Sequence, residues 1–106
     1  MNNDLYIKIS EMKRKYEQEG FIILGVYGSF ARGEDSEKSD VDILYELKPD
    51  FIDSYGGLGA VERIEEIRQE MEKEFGREID LACRSSLNRV NKKYILSEVV
   101  YVKTCG

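Results

Sequence analysis

The 106-residue chain has no histidine, one proline, two cysteines and no apolar run long enough to cross a bilayer. Without imidazole there is no Ser-His-Asp triad, no Cys-His pair and no zinc or iron site that needs a histidine ligand. Acid-base or metal chemistry must then run on carboxylates, Lys, Tyr or Cys. Cys83 and Cys105 are too few for a disulfide framework and are not spaced as a metal knuckle or redox pair, which fits a reducing cytoplasm. The longest nearly apolar stretch, Phe21 to Tyr27, is far shorter than a membrane span, and Met1-Asn2-Asn3-Asp4 lacks the regions of a signal peptide. No membrane association is expected.

What is present is a globular composition, 42% apolar and 35% charged, in a length that suits one domain spanning 1–106. The formal charge of −5 argues against nucleic acid or anionic lipid as a bulk ligand. That charge is unevenly spread. Residues 83–106 carry a local +4 from Arg84, Arg89, Lys92, Lys93 and Lys103 against Glu98, and the rest of the chain carries −9. The basic end is expected to line a triphosphate site or an acidic partner surface.

Leu5, Ile9, Met12 and Tyr16 recur at helical spacing before Gly20, which predicts an amphipathic helix over 4–19. Phe21 to Tyr27 reads as a buried strand that ends at Gly28-Ser29, with a short helix opening through 30–33. Val41 to Leu47 alternates as a second strand stopped by Lys48-Pro49-Asp50. A loop is expected from there to Gly59, with Phe51 and Tyr55 exposed. Val61, Ile64, Ile67, Met71 and Phe75, followed by Gly76, predict a helix over 60–75. Residues 78–82 read as a third strand, and 91–102 as a short helix running into a final extended segment, with Tyr94 and Tyr101 as packing residues. The fold class implied is α/β or α+β, a small sheet with helices on one face.

Three features carry chemistry. Gly28-Ser29 closes the first strand where backbone N–H groups and the Ser29 hydroxyl can hold phosphate oxygens, and Arg32 can add a charge-assisted contact or pair with Asp40 or Glu34. Ser39-Asp40-Val41-Asp42 enters the second strand, where side chains two apart share a face, so Asp40 and Asp42 point the same way. Asp80 sits between Ile79 and Leu81 and joins them if the third strand lies beside the second. Its alternatives are an ion pair with Arg77 or Arg84, and Glu78 is its rival as a ligand. Clustered carboxylates raise one another's pKa unless a cation is bound, and an all-oxygen set favours Mg²⁺ or Mn²⁺. Such a triad facing a phosphate-cradling turn suggests phosphoryl or nucleotidyl transfer.

Gly28-Ser29-Phe30-Ala31-Arg32-Gly33, then Ser39-Asp40-Val41-Asp42-Ile43-Leu44, then Ile79-Asp80-Leu81 resemble the minimal nucleotidyltransferase family of the polymerase-β superfold, in the form found as antitoxins beside HEPN-domain toxins. The resemblance implies that fold, two Mg²⁺ ions on Asp40, Asp42 and Asp80, and ATP gripped by Gly28 and Ser29. It also implies AMP transfer to a tyrosine of a HEPN toxin, in a hetero-oligomer with it. One departure is the acidic linker Glu34-Asp35-Ser36-Glu37-Lys38, which leaves Arg32 more of any phosphate grip. Two other functions fit the same residues: transfer to a small hydroxyl compound with help from another chain, and a noncatalytic antitoxin that blocks its toxin by contact.

Overall fold

A computed structural model describes residues 3–28, 40–86, 93, 95–97 and 99–101. Helix α1 (Asn3–Glu17) leads into strand β1 (Phe21–Tyr27), followed by β2 (Val41–Leu47), helices α2 (Pro49–Tyr55) and α3 (Gly57–Phe75), then β3 (Ile79–Cys83). A single 3-10 turn (Arg84–Ser86) and a short strand β4 (Val100–Tyr101) follow, with residues 93 and 95–97 helical between them. The short helix expected at 30–33, Tyr94 and much of the 91–102 segment lie outside the described residues. No helix among the described residues is long and apolar enough to cross a membrane.

The sheet is mixed, in the order β3-β2-β1-β4. β1 pairs antiparallel with both β2 and β4, whereas β2 and β3 run parallel. A parallel neighbour requires a crossover, and α2 with α3 supplies it. Ile9 and Tyr16 of α1 and Ile67 and Met71 of α3 are buried against Phe21, Ile23, Val26, Val41 and Ile43 of the sheet. Helical spacing thus brings one stripe of each helix onto one sheet face.

Two expectations fail between β2 and α3. The stretch after Leu47 is helical, because Pro49 takes the first helical position, where its missing N–H costs nothing, and Asp50 follows in the first turn. Phe51 is not exposed but fully buried, 6.1 Å from the Phe21 ring, which itself stacks on Tyr45 at 4.6 Å. Tyr55 is partly exposed as expected. Within α3 the expected stripe holds at Ile64, Ile67, Met71 and Phe75, but its first inward position is Ala60, while Val61 is 64% exposed. Tyr101 is also exposed rather than packed, at the sheet edge.

A bulge in β1 orients the remainder. The pairing register with β2 shifts between Ile23 and Gly25, so Phe21, Ile23 and Val26 all face the core although their spacing is not strictly even. Beyond the extra residue, inward and outward positions exchange. Tyr27, which simple alternation from Phe21 would send into the core, instead turns to the opposite face.

Candidate active site

On that opposite face, the registers Tyr27↔Asp42 and Asp42↔Asp80 align three side chains across three adjacent strands. Directly paired residues share a sheet face, with neighbouring strands roughly 5 Å apart. Asp42 and Asp80 therefore stand side by side, with Tyr27 next in the row. The electrostatics agree: the half-buried Tyr27 phenol is pushed up to about 12, first by burial and then by the negative charge of Asp42 and of Asp80. Its proton stays on across the physiological range, which leaves a neutral phenol beside two carboxylates.

Gly28 closes β1 with φ +76°, and a Cβ placed on it would collide with the Asp42 carboxylate oxygen. Both constraints select glycine. The backbone turns through a left-handed conformation, and the carboxylate lies directly against the Cα. The residue read as a phosphate-turn glycine is thus in contact with one of the acids assigned to metal binding.

Asp40 precedes β2 and is exposed. It lines a polar cleft of about 620 Å³ together with Asp80, Glu78, Ile79 and, from α3, Arg68 and Glu72. The backbone at this end is tied together by the Val41 N–H, which donates to the Glu78 carbonyl at 2.9 Å. Asp80 is the common member: it neighbours Asp42 through the sheet and shares the cleft with Asp40. Among the described residues, no group of three or more acidic or thiol side chains stands close enough to hold a metal ion. Ser29 and Arg32 lie outside the described residues, as do Arg89, Lys92 and Lys103 of the basic end. Arg84 is part-buried in the 3-10 turn and Lys93 is exposed.

Nothing in the spacing of the motifs points to Tyr27. Its signal was Gly25, an interior strand glycine that marks a bulge or a close backbone approach. Gly25 is both here, since a Cβ on it would collide with the Val100 carbonyl of β4.

The nucleotidyltransferase domain model matches residues 7–102. Protein adenylyltransferase MntA of Thermococcus cleftensis is 34% identical over 96 residues, covering 91% of this chain and 89% of that protein. A candidate protein adenylyltransferase of Methanocaldococcus jannaschii is 31% identical over 100 residues, covering 91% and 99%. Among solved structures, a candidate minimal nucleotidyltransferase superposes with a TM-score of 0.69 at 24% identity, over 94% of this chain and 95% of that one. A chain from a toxin-antitoxin complex with AMP-PNP gives 0.68 at 17%, over 94% and 73%. These two establish the shared fold. With the family model matching residues 7–102 and relatives above 30% identity covering 91% of the chain, the protein belongs to the nucleotidyltransferase domain family and is a nucleotidyltransferase.

Proposed function

We propose that this nucleotidyltransferase moves AMP from ATP to a tyrosine hydroxyl of a partner toxin of the HEPN type, and that Asp40, Asp42 and Asp80 hold the divalent ions, Mg²⁺ or Mn²⁺, that the reaction uses. The observation that carries the reading is the pairing of Asp42 with Asp80 on adjacent strands, in one row with Tyr27. The donor set suits a hard cation: all ligating atoms are oxygen, Asp42 and Asp80 are paired by strand register, and Asp40 shares a polar cleft with Asp80. The bound ions supply charge neutralisation for the triphosphate and for the developing pentacoordinate phosphorus.

The chain's own contribution is positioning. Gly28 keeps the backbone open beside Asp42, and in this reading it holds β- and γ-phosphate oxygens together with the Ser29 hydroxyl. Arg32 adds a guanidinium to that grip. The acceptor oxygen forms a bond to the α-phosphorus as the bond from that phosphorus to the bridging oxygen breaks. Pyrophosphate leaves and the phenol proton passes to solvent. Transfer of AMP to a protein is supported by the name of the Thermococcus relative, and a toxin partner by the fold shared with a chain of a toxin-antitoxin complex. An AMP on the toxin's tyrosine would add bulk and negative charge at that residue.

The test is label transfer. The protein is incubated with Mg²⁺, α-labelled ATP and a HEPN partner, beside the double variant Asp40→Asn, Asp42→Asn. Label on the partner that disappears with the variant is the expected result. Equal neutralisation of the partner by both proteins with no label transferred would overturn the enzymatic reading in favour of inhibition by contact.

A further inference from the structure

Asp80 lies on the most vulnerable element of the site. β3 has five residues, stands at the edge of the sheet and is held by a single parallel neighbour. In a strand the side-chain period is two, so a slip of one residue would turn Asp80 from the Asp42 face into the core face. Something must fix the register at the strand's start.

We infer that Arg68 and Glu72 of α3 form a positioning device that sets Asp80 opposite Asp42. Glu72 Oε2 accepts the backbone N–H of Ile79, the first residue of β3, at 3.1 Å. The same oxygen takes Arg68 Nη1 at 2.7 Å, and Arg68 is steadied from its other side by Nε to Glu65 Oε2 at 3.0 Å. The residue before, Glu78, gives its carbonyl to the Val41 N–H of β2. The entry to β3 is therefore gripped from both sides, by β2 through Glu78 and by the helix through Ile79, immediately before Asp80. Arg68, Glu72, Asp80 and Asp40 line one cleft, so the device borders the site it orients. A carboxylate locked by a guanidinium is a better fixed acceptor than one free to rotate, because the fork geometry of Arg restricts it.

This inference rests on the reading of Asp80 as a metal ligand, and its test is binding as well as turnover. Mn²⁺ binding to the full chain is measured by calorimetry with a non-hydrolysable ATP analogue present, for the wild type, Glu72→Leu, Glu72→Gln and Arg68→Met, with a melting curve for each. Glu72→Leu removes the acceptor and is expected to weaken Mn²⁺ binding by about tenfold or more, with faster hydrogen exchange at the Ile79 amide. Glu72→Gln keeps an oxygen acceptor and is expected to recover most of that loss. Arg68→Met leaves the acceptor without its anchor, and is expected to weaken Mn²⁺ binding at an unchanged melting midpoint.

A folded Glu72→Leu variant that binds Mn²⁺ like the wild type, or a Glu72→Gln variant as impaired as Glu72→Leu, would overturn the positioning role. If Glu72→Leu does not fold, unchanged binding by Arg68→Met overturns it alone. A wild-type chain that binds no Mn²⁺ with the nucleotide overturns the proposed ligand set itself, and this inference with it.

Discussion

Tyr16 and Tyr27 are both phenols pushed upward by burial, and they sit in opposite electrostatic settings. Tyr16, fully buried at the contact of α1 with α3, donates its hydroxyl proton to Glu70 and lies 5.8 Å from the Arg63 guanidinium. Arg63 donates to both oxygens of Glu19, at 2.8 and 2.7 Å, and to Glu70 at 3.1 Å, while Tyr55 also donates to Glu19. The acids there come with their own cation, so Glu19 and Glu70 are held below the usual carboxylate range, first by hydrogen bonds from Arg63 and Tyr16 respectively. At Tyr27 the charges that add to burial are those of Asp42 and Asp80, both negative. The first arrangement is complete within the chain and serves the fold. The second fits a cationic ligand, because grouped carboxylates cost stability that a bound cation recovers.

The comparison breaks most clearly by exchanging its outcomes. Asp80→Asn is expected to lower label transfer by about 10²-fold or more. Its midpoint in urea should stay level or rise, since one of two facing like charges is gone. Arg63→Met should do the reverse: a loss of about 2 kcal/mol in urea unfolding, because it leaves part-buried carboxylates without their charged donor, with the transfer rate per folded molecule unchanged. A folded Arg63→Met protein that no longer transfers AMP would show that the two regions are not separable. The same network sets acid stability. Glu19 and Glu70 titrate lower in the folded state than their ordinary 4.5, so their contribution is present above that value and is lost as pH falls through their lowered folded values. Wild-type stability should therefore fall more steeply below about pH 4.5 than that of Arg63→Met, measured by urea midpoints across pH.

Gly28→Ala tests the contact between turn and carboxylate. The left-handed φ costs about 1–2 kcal/mol for a residue with a Cβ, and the new methyl must displace the Asp42 carboxylate. Stability measured in urea should fall by about that amount. Transfer should fall by more than the lost folded fraction explains, and a loss confined to stability would mean that Asp42 tolerates displacement.

Much of this was legible in the sequence because periodic burial writes it there. Ile9 and Tyr16 in α1, Ile67 and Met71 in α3, and the alternation of β2 each follow from which side chains must leave water. The adjacency of β2 and β3 was a condition in the sequence, since Asp80 joins Asp42 only if those strands are neighbours; the parallel register supplies it. Two things were hidden. Pro49 and the glycines around 56–59 read as loop, because a proline that stops one element looks the same as one that starts the next. Tyr27 was hidden because a bulge changes the parity of a strand without changing its composition, so strict alternation from Phe21 assigns it to the wrong face.

The smallest effect separates the two tyrosines most directly. Tyr27 titrates near 12 in the folded protein against an ordinary 10. Its stabilisation is therefore complete below pH 10 and is lost as pH rises toward 12. Asp80→Asn removes one of the two negative charges that Tyr27 feels, so its titration, followed by the ring-carbon resonance, should move down yet stay above 10, because burial is the larger cause. Tyr16 should not respond to that substitution. Arg63→Met should raise Tyr16 further, since the guanidinium charge lowers it, and should leave Tyr27 where it is. A Tyr27 titration indifferent to Asp80 would mean that the aspartate does not face the phenol, and the contrast between the regions would then reduce to burial alone.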